Sequence, residues 1–158
     1  MKRTGLLLLA IILIIGTMCG CGEDKESPSS AADFSTVKQK IDESFDFSEL
    51  YGIQDAEELS LTYSFEQADI ADFYAKYSVT GMDSQEIIIV KAVNTEAAER
   101  IKSALETRYK SKVNEAASYS PEQLELVQKC SVRVDGDIVS LVVDKNADAI
   151  HDIIIGKY

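Results

Sequence analysis

Hydrophobic and polar positions divide this chain into three parts. An unbroken apolar run covers residues 6–15, and residues 22–32 are polar, small and without periodicity. From residue 33 onward, apolar residues recur at the spacing of amphipathic helices or form short β-branched runs typical of strands. The pattern therefore predicts one folded domain over residues 33–158, preceded by two short N-terminal segments, 1–20 and 21–32.

Several segments of the domain show helical spacing with recognisable starts. Asn94 is placed to cap a long helix that begins at Thr95. Residues 120–123, Ser-Pro-Glu-Gln, give a capping serine and a proline at the first helical position. Tyr119 and Leu124 are spaced to form a hydrophobic staple across that start. Further helices are predicted behind a cap at Asp33 or Ser35, around residues 55–59, and from Asp144 or Asn146 onward.

Two pairs of strands are predicted, each joined by a turn. Residues 70–80 and 86–93 are separated by a short polar segment, and residues 130–134 and 137–143 flank Asp135-Gly136. Each pair leads into a helix, so the order is ββα twice. Short hairpins make neighbouring strands antiparallel, and amphipathic helices need a shared apolar layer. We therefore predict an α+β fold, with an antiparallel sheet of about four strands and helices packed on one face.

The first twenty residues have the three regions of a secretory signal peptide. Lys2 and Arg3 are positive, the apolar run is about half as long as a membrane-spanning helix, and small residues follow. Residues 18–21, Met-Cys-Gly-Cys, resemble the bacterial lipobox, which predicts lipidation of Cys21 and a flexible tether over residues 21–32. Met18 replaces the commoner leucine and Cys19 is an unusual small residue. Soluble secretion with Cys21 as a free thiol is the alternative.

The charge of the chain limits its partners. It carries 16 Lys plus Arg and 27 Asp plus Glu, a formal charge of −11, and loss of Lys2 and Arg3 on cleavage would leave −13. Such a chain argues against nucleic acid as a partner, because binding to phosphates needs clustered cations. Anionic lipid would also repel it. We expect a cell-membrane location on the extracytoplasmic face, held by the lipid on Cys21, with a cell-envelope protein or a small ligand as partner.

The residues that could carry chemistry are few. His151 is the only histidine, and its position near the end of the last helix suits the helix dipole. With Cys21 lipidated, Cys130 is the one free thiol of the domain, and we interpret it as a small buried hydrophobe rather than a nucleophile. One histidine and one thiol are too few for a zinc site. Asp135-Gly136-Asp137 lacks the spacing of a calcium loop, so it predicts a turn.

No set of residues points to catalysis. The acidic residues between 42 and 58 have no spacing diagnostic of general acid and base work, and no glycine-rich phosphate loop occurs. We therefore expect no metal, no cofactor and no enzymatic activity, and interpret the protein as a non-enzymatic binding or interaction module. The alternative is a cell-envelope hydrolase or an enzyme inhibitor that uses surface carboxylates.

Several short motifs together resemble one family. They are the lipobox, Tyr51-Gly52-Ile53, the Asp-Ser-x-Glu-Ile-x-Ile-x-Lys-Ala pattern of residues 83–92, the helix start at residues 119–123 and Leu-Val-Val at 141–143. This combination is similar to the DUF4358 family of bacterial, mostly Gram-positive, lipoproteins of unassigned function. The resemblance supports the expected location and fold, and it implies no activity.

Overall fold

The computed structural model describes residues 33–80 and 83–158. The predicted signal peptide, Cys21 and the tether lie outside the described residues. No helix in these two ranges is long and apolar enough to cross a membrane. The elements, in chain order, are α1 (Phe34–Ser44), β1 (Tyr51–Gly52), α2 (Ala56–Tyr63), a 3-10 turn (Gln67–Asp69), β2 (Ile70–Tyr77), β3 (Glu86–Ala92), α3 (Thr95–Tyr119), α4 (Pro121–Gln128), β4 (Val132–Asp135), β5 (Ile138–Val143) and α5 (Ala147–Ile154).

These elements confirm the α+β class. The strands form one antiparallel sheet in the order β1-β2-β3-β5-β4. The described ranges thus contain five strands rather than about four. The additional strand, β1, has only two residues, and Tyr51 pairs with Tyr77 at the sheet edge. A two-residue strand is too short to show alternation, so the sequence pattern gives no sign of it.

Helices cover both faces of the sheet, which corrects the expectation of helices on one face. Successive residues of a strand point to opposite faces. On one face Ile88 and Leu141 pack with helix residues such as Leu105, and on the other Ile87 packs with residues such as Ile150. Both central strands, β3 and β5, therefore read as continuous apolar runs, as doubly covered strands do.

The ββα order occurs twice, as predicted, but the two units send their helices to opposite faces. After β3 the chain forms α3, whose Ile101 lies in the core with α2 and α4. After β5 it forms α5, whose Ile154 lies in the core with α1. Hydrophobic periodicity shows that a helix has an apolar face, but it does not show which side of the sheet that face meets.

Helix α3 is longer than the strand it follows, so its last turns lie beyond the sheet. Asn94 caps it as predicted, since its side-chain oxygen accepts a hydrogen bond from the Ala97 amide (2.9 Å). The helix has 25 residues and is about 37 Å long at 1.5 Å per residue. Strand β3 has seven residues and is about 24 Å long. The last turns of α3 therefore extend past the sheet, where α4 and the β2–β3 connection flank them.

Candidate functional site

A fully buried carboxylate lies at the centre of the candidate site. Glu86 is the first residue of β3, on the face toward α3, and is 0% exposed. Its Oε1 accepts hydrogen bonds from the Tyr63 hydroxyl (2.8 Å) and from Arg108 Nη2 (3.1 Å). Lys112 Nζ lies 3.5 Å from Oε2. One buried anion thus holds two cations and a phenol, the pairing that a charge in an apolar interior requires.

Burial and the charge of Glu86 set the protonation of this cluster. The pKa of Tyr63 is raised, first by burial and then by the adjacent carboxylate, so the phenol remains a hydrogen-bond donor. Burial lowers the pKa of Lys112, and Glu86 partly offsets that effect. For Arg108, burial opposes the charge, but the charge of Glu86 and the hydrogen bonds to it prevail, and its pKa is raised.

The two cations face an open cleft of about 160 Å³ beside the cluster. One wall is the last part of α3, where Arg108, Lys112, Glu115 and Tyr119 follow one another at intervals of four, three and four residues. This spacing places all four side chains on one face of the helix. The other walls are the described ends of the β2–β3 connection, residues 78–80 and 83–84, and the start of α4, Ser120 and Gln123.

Hydrogen bonds fix these walls to one another. Lys112 Nζ donates to the backbone oxygen of Ser84 (3.0 Å), and the Ser84 amide donates to Gln123 Oε1 (3.0 Å). Lys112 therefore joins the buried Glu86 to the loop, and Gln123 joins the loop to α4. These hydrogen bonds link α3, the β2–β3 connection and α4. The walls of the cleft are therefore held in place without a ligand.

Of the two residues predicted to start α4, Ser120 does so, whereas the side chain of Gln123 has a different partner. Ser120 does cap the helix, since its Oγ accepts from the Gln123 amide (3.3 Å). The side chain of Gln123, however, reaches across to Ser84, and the Ser120 amide bonds to Ala116. The predicted hydrophobic staple between Tyr119 and Leu124 is wrong, because Tyr119 is 82% exposed at the rim of the cleft.

The cleft combines both charges with an apolar rim. Glu115 Oε1 lies 3.7 Å from Arg108 Nη1, and Asp83 Oδ1 accepts a hydrogen bond from the Gln85 amide (3.0 Å). Val79, which is 68% exposed, and Tyr119 add apolar surface. Positioned donors and acceptors beside an exposed aromatic ring are features of a site that binds a small polar molecule.

Cys130 lies where the sequence placed it, in the core. It is 5% exposed, and its Sγ donates to the Leu126 carbonyl (3.3 Å). Burial raises the pKa of the thiol. Cys130 also lines a cavity of about 10 Å³ with His151, a space of roughly one water molecule. That space is too small for a substrate.

Cys130 in the folded full-length protein should therefore react slowly with a maleimide at neutral pH. Both low access and a small thiolate fraction slow the reaction, and denaturant should remove both effects. Mass spectrometry of the peptide that contains Cys130 measures its labelling separately from the two N-terminal cysteines. Complete native-state labelling within seconds would show an activated thiol and contradict the core assignment.

His151 lies in the last turn of α5 and contacts the end of β4. Its Nδ1 lies 3.5 Å from Asp135 Oδ2, at the turn between β4 and β5. The adjacent pair Arg133–Asp148 (2.6 Å) also joins α5 to β4. Within residues 33–80 and 83–158, no group of three or more His, Cys, Asp and Glu residues is arranged to hold a metal ion.

Much of the acidic set between residues 42 and 58 has hydrogen-bond partners within the domain. Asp42 accepts from the Tyr74 hydroxyl (2.7 Å) and from Lys76 (2.9 Å). Asp55 caps α2 through the Glu58 amide (2.8 Å), and the Glu58 carboxylate accepts from the Gln54 amide (2.8 Å). These carboxylates hold the N-terminal third of the domain together, which is a structural role.

The central residues of the site, which were not predicted from the sequence, are Tyr63, Glu86, Arg108 and Lys112. One signal was present. The buried face of α3 runs through Ile101 and Leu105, and the same spacing continues at Arg108 and Lys112. Two cations that continue an apolar stripe need a buried anion. The sequence could not show that this anion is the glutamate at the start of β3.

Comparisons with known proteins identify a family and nothing more specific. The family model described as "Domain of unknown function (DUF4358)" matches residues 43–144. This segment contains all five strands, the buried cluster and the cleft. Searches of curated proteins and of solved structures each gave no match. The family match extends over most of the folded domain, and the chain therefore belongs to the DUF4358 family.

Proposed function

We propose that this protein is a lipid-anchored binding module on the outer face of the cytoplasmic membrane, without enzymatic activity. Its N-terminal sequence supports the location, and the cleft beside α3 supports the binding role. The single observation that carries the binding role is that the buried Glu86 holds the Arg108 and Lys112 side chains in position at the wall of the cleft. A site whose polar groups are already fixed loses little conformational entropy when a ligand arrives.

The binding role is tested by crosslinking in intact cells. A benzophenone amino acid is introduced at Tyr119, at the rim of the cleft, and in a second strain at Leu61 on α2. The two positions are 82% and 79% exposed, so the pair is matched for access. We expect adducts of increased mass after irradiation only for position 119. Equal adducts at both positions, or none at position 119, would contradict a ligand-binding cleft.

Replacing Cys21 with alanine should release the protein from the membrane. The mature chain carries a charge of −13 after loss of Lys2 and Arg3, so anionic lipid repels it and the acyl chains must supply the attachment. Triton X-114 partitioning of whole-cell extracts measures this. The wild type is expected in the detergent phase and the variant in the aqueous phase. Cys19→Ala is the matched control and should partition like the wild type.

A cell-envelope hydrolase is a second candidate, because Asp83 and Glu115 line the same cleft. Paired carboxylates can act as general acid and base on a glycosidic bond. This candidate predicts that the protein releases soluble fragments from purified cell-wall material, and that D83N and E115Q together abolish the release. The binding module predicts no release by either form. The other alternative is inhibition of a cell-envelope enzyme. It would require that this cleft or the acidic residues between 42 and 58 contact that enzyme.

A further inference from the structure

Among the described residues that line the cleft, no cation is left free for an anionic ligand. Arg108 and Lys112 line the cleft, but both are paired with the buried Glu86. Asp83 and Glu115 add two negative charges to the lining. An anionic ligand would therefore meet like charges in a partly buried site, which disfavours binding. This arrangement favours a ligand without negative charge.

The polar groups favour a ligand that both donates and accepts hydrogen bonds at neighbouring positions. Hydroxyl groups on two sides of the cleft come from Ser78, Thr80 and Ser84 of the β2–β3 connection and from Ser120 at the start of α4. Each hydroxyl can donate one hydrogen bond and accept others. The cations supply donors only, and the carboxylates supply acceptors only. Adjacent hydroxyl groups of a sugar have this same dual character, whereas a carboxylate, phosphate or ammonium group has one role.

The shape of the cleft fits one ring with an apolar face. A cavity of about 150 Å³ is enough to admit a benzene-sized ring, and this cleft, at about 160 Å³, is also open to solvent. Tyr119 exposes 82% of its surface at the rim. Such an exposed aromatic ring offers a flat apolar surface to the C–H face of a sugar ring, while its hydroxyl remains in water.

Resting on the proposed function, we propose that the ligand of this cleft is an uncharged saccharide unit, one ring of a longer glycan. The ring lies on Tyr119 and its hydroxyl groups bond to the Arg108, Lys112, Asp83 and Glu115 side chains. The buried Glu86 keeps the two cations in position, so the hydrogen-bonding groups need no rearrangement when the sugar binds.

Titration calorimetry on the mature lipidated protein tests the ligand class. The protein is kept in a detergent without a sugar headgroup, because an alkyl glycoside would compete. The uncharged probes are tetrasaccharides of glucose, galactose or N-acetylglucosamine. The charged probes are tetramers of galacturonate and glucosamine, and dialanine is the zwitterion. We expect saturable binding of at least one uncharged tetrasaccharide, and weaker binding of every charged or zwitterionic probe.

Variants connect the binding to the cleft. Tyr119→Ala should weaken saccharide binding about tenfold, because the ring surface is lost. Tyr119→Phe keeps the ring and should bind within about twofold of the wild type, as should Leu61→Ala at a matched exposed site. Because Tyr119 is exposed, none of these variants should lower the melting temperature, which is measured in parallel.

Three results would overturn the saccharide assignment. They are no saturation with any uncharged tetrasaccharide, tighter binding of a charged or zwitterionic probe, and saccharide binding that is insensitive to Tyr119→Ala. None of them changes the crosslinking result at position 119, which tests whether the cleft binds anything. A crosslink at position 119 together with one of these results leaves the binding module in place and rejects the saccharide.

Discussion

Glu86→Ala is expected to lower the free energy of unfolding by about 3–5 kcal/mol, the range for removing one partner of a buried ion pair. The carboxylate is fully buried and balances Arg108 and Lys112, whose side chains are 30% and 7% exposed. Its loss leaves two partly or fully buried cations and the Tyr63 hydroxyl without their shared acceptor. Urea unfolding followed by circular dichroism measures the change. A domain of this size has about 5–15 kcal/mol of stability in total, so the effect is large.

Two controls separate this electrostatic loss from ordinary truncation. Glu106→Ala removes an exposed carboxylate from the same helix that carries Arg108, and should change stability by less than about 0.5 kcal/mol. In an Arg108→Met background, Glu86→Ala should cost less than in the wild type, since one cation is already absent. A cost below about 1 kcal/mol in the wild type, or no coupling with Arg108, would contradict the buried cluster.

Ile150→Ala should lower the free energy of unfolding by about 2–5 kcal/mol, the range for a large aliphatic side chain truncated in a packed core. Ile150 lies on α5, is 0% exposed and belongs to the core between the sheet and the α1–α5 pair. The truncation leaves a cavity that the surrounding side chains fill only in part. Thermal or urea unfolding of the purified protein measures this loss of stability.

Ile87→Ala tests whether the second face of the sheet is covered. Ile87 lies on β3, on the face toward α1 and α5, and is 0% exposed. If helices packed only on the opposite face, Ile87 would be exposed and its truncation nearly neutral. Leu61→Ala on α2 gives that neutral reference, because Leu61 is 79% exposed. Stability of Ile87→Ala or Ile150→Ala equal to that of Leu61→Ala would contradict the core on this face.

The buried cluster around Glu86 also supports one wall of the cleft. Because Lys112 bonds to both Glu86 and the Ser84 backbone, the loss of Glu86 should also loosen the loop that forms one wall of the cleft. The stability of the domain and the shape of the cleft therefore depend on the same side chain. Tyr119 is the opposite case, since it lies at the rim, is mostly exposed, and can be changed without reaching the core.

The sequence by itself determined the helices, four of the five strands in the described residues, and most of their boundaries. β-branched runs, period-3.6 patterns, the Asn94 cap and the Asp135-Gly136 turn are local signals, and the structure confirms the α+β class and the repeated ββα order. It also predicted the burial of Cys130. The family match agrees with the resemblance drawn from short motifs. Local signals succeed here because hydrogen bonding and apolar spacing within one element do not depend on the rest of the chain.

Only the tertiary structure decided how the elements combine. Arg100 illustrates the difference, because Glu96 was available one helical turn away as an i,i+4 partner. Arg100 instead donates two hydrogen bonds to Asp69 (2.8 and 2.6 Å), which lies outside the helix. Gln123, expected at a helix start, similarly bonds to Ser84 across the cleft. Partners distant in the sequence prevailed over local ones in both cases.

The same limit explains why the sequence did not reveal the site. Glu86, Arg108 and Lys112 come from two elements, and each alone is an ordinary charged residue at an element's edge or on a helix. Their joint burial follows from the face on which α3 packs and from the length by which it extends past the sheet. Local periodicity determines that α3 has an apolar face. The choice of sheet face, and the cleft that results, depend on packing between residues far apart in the chain.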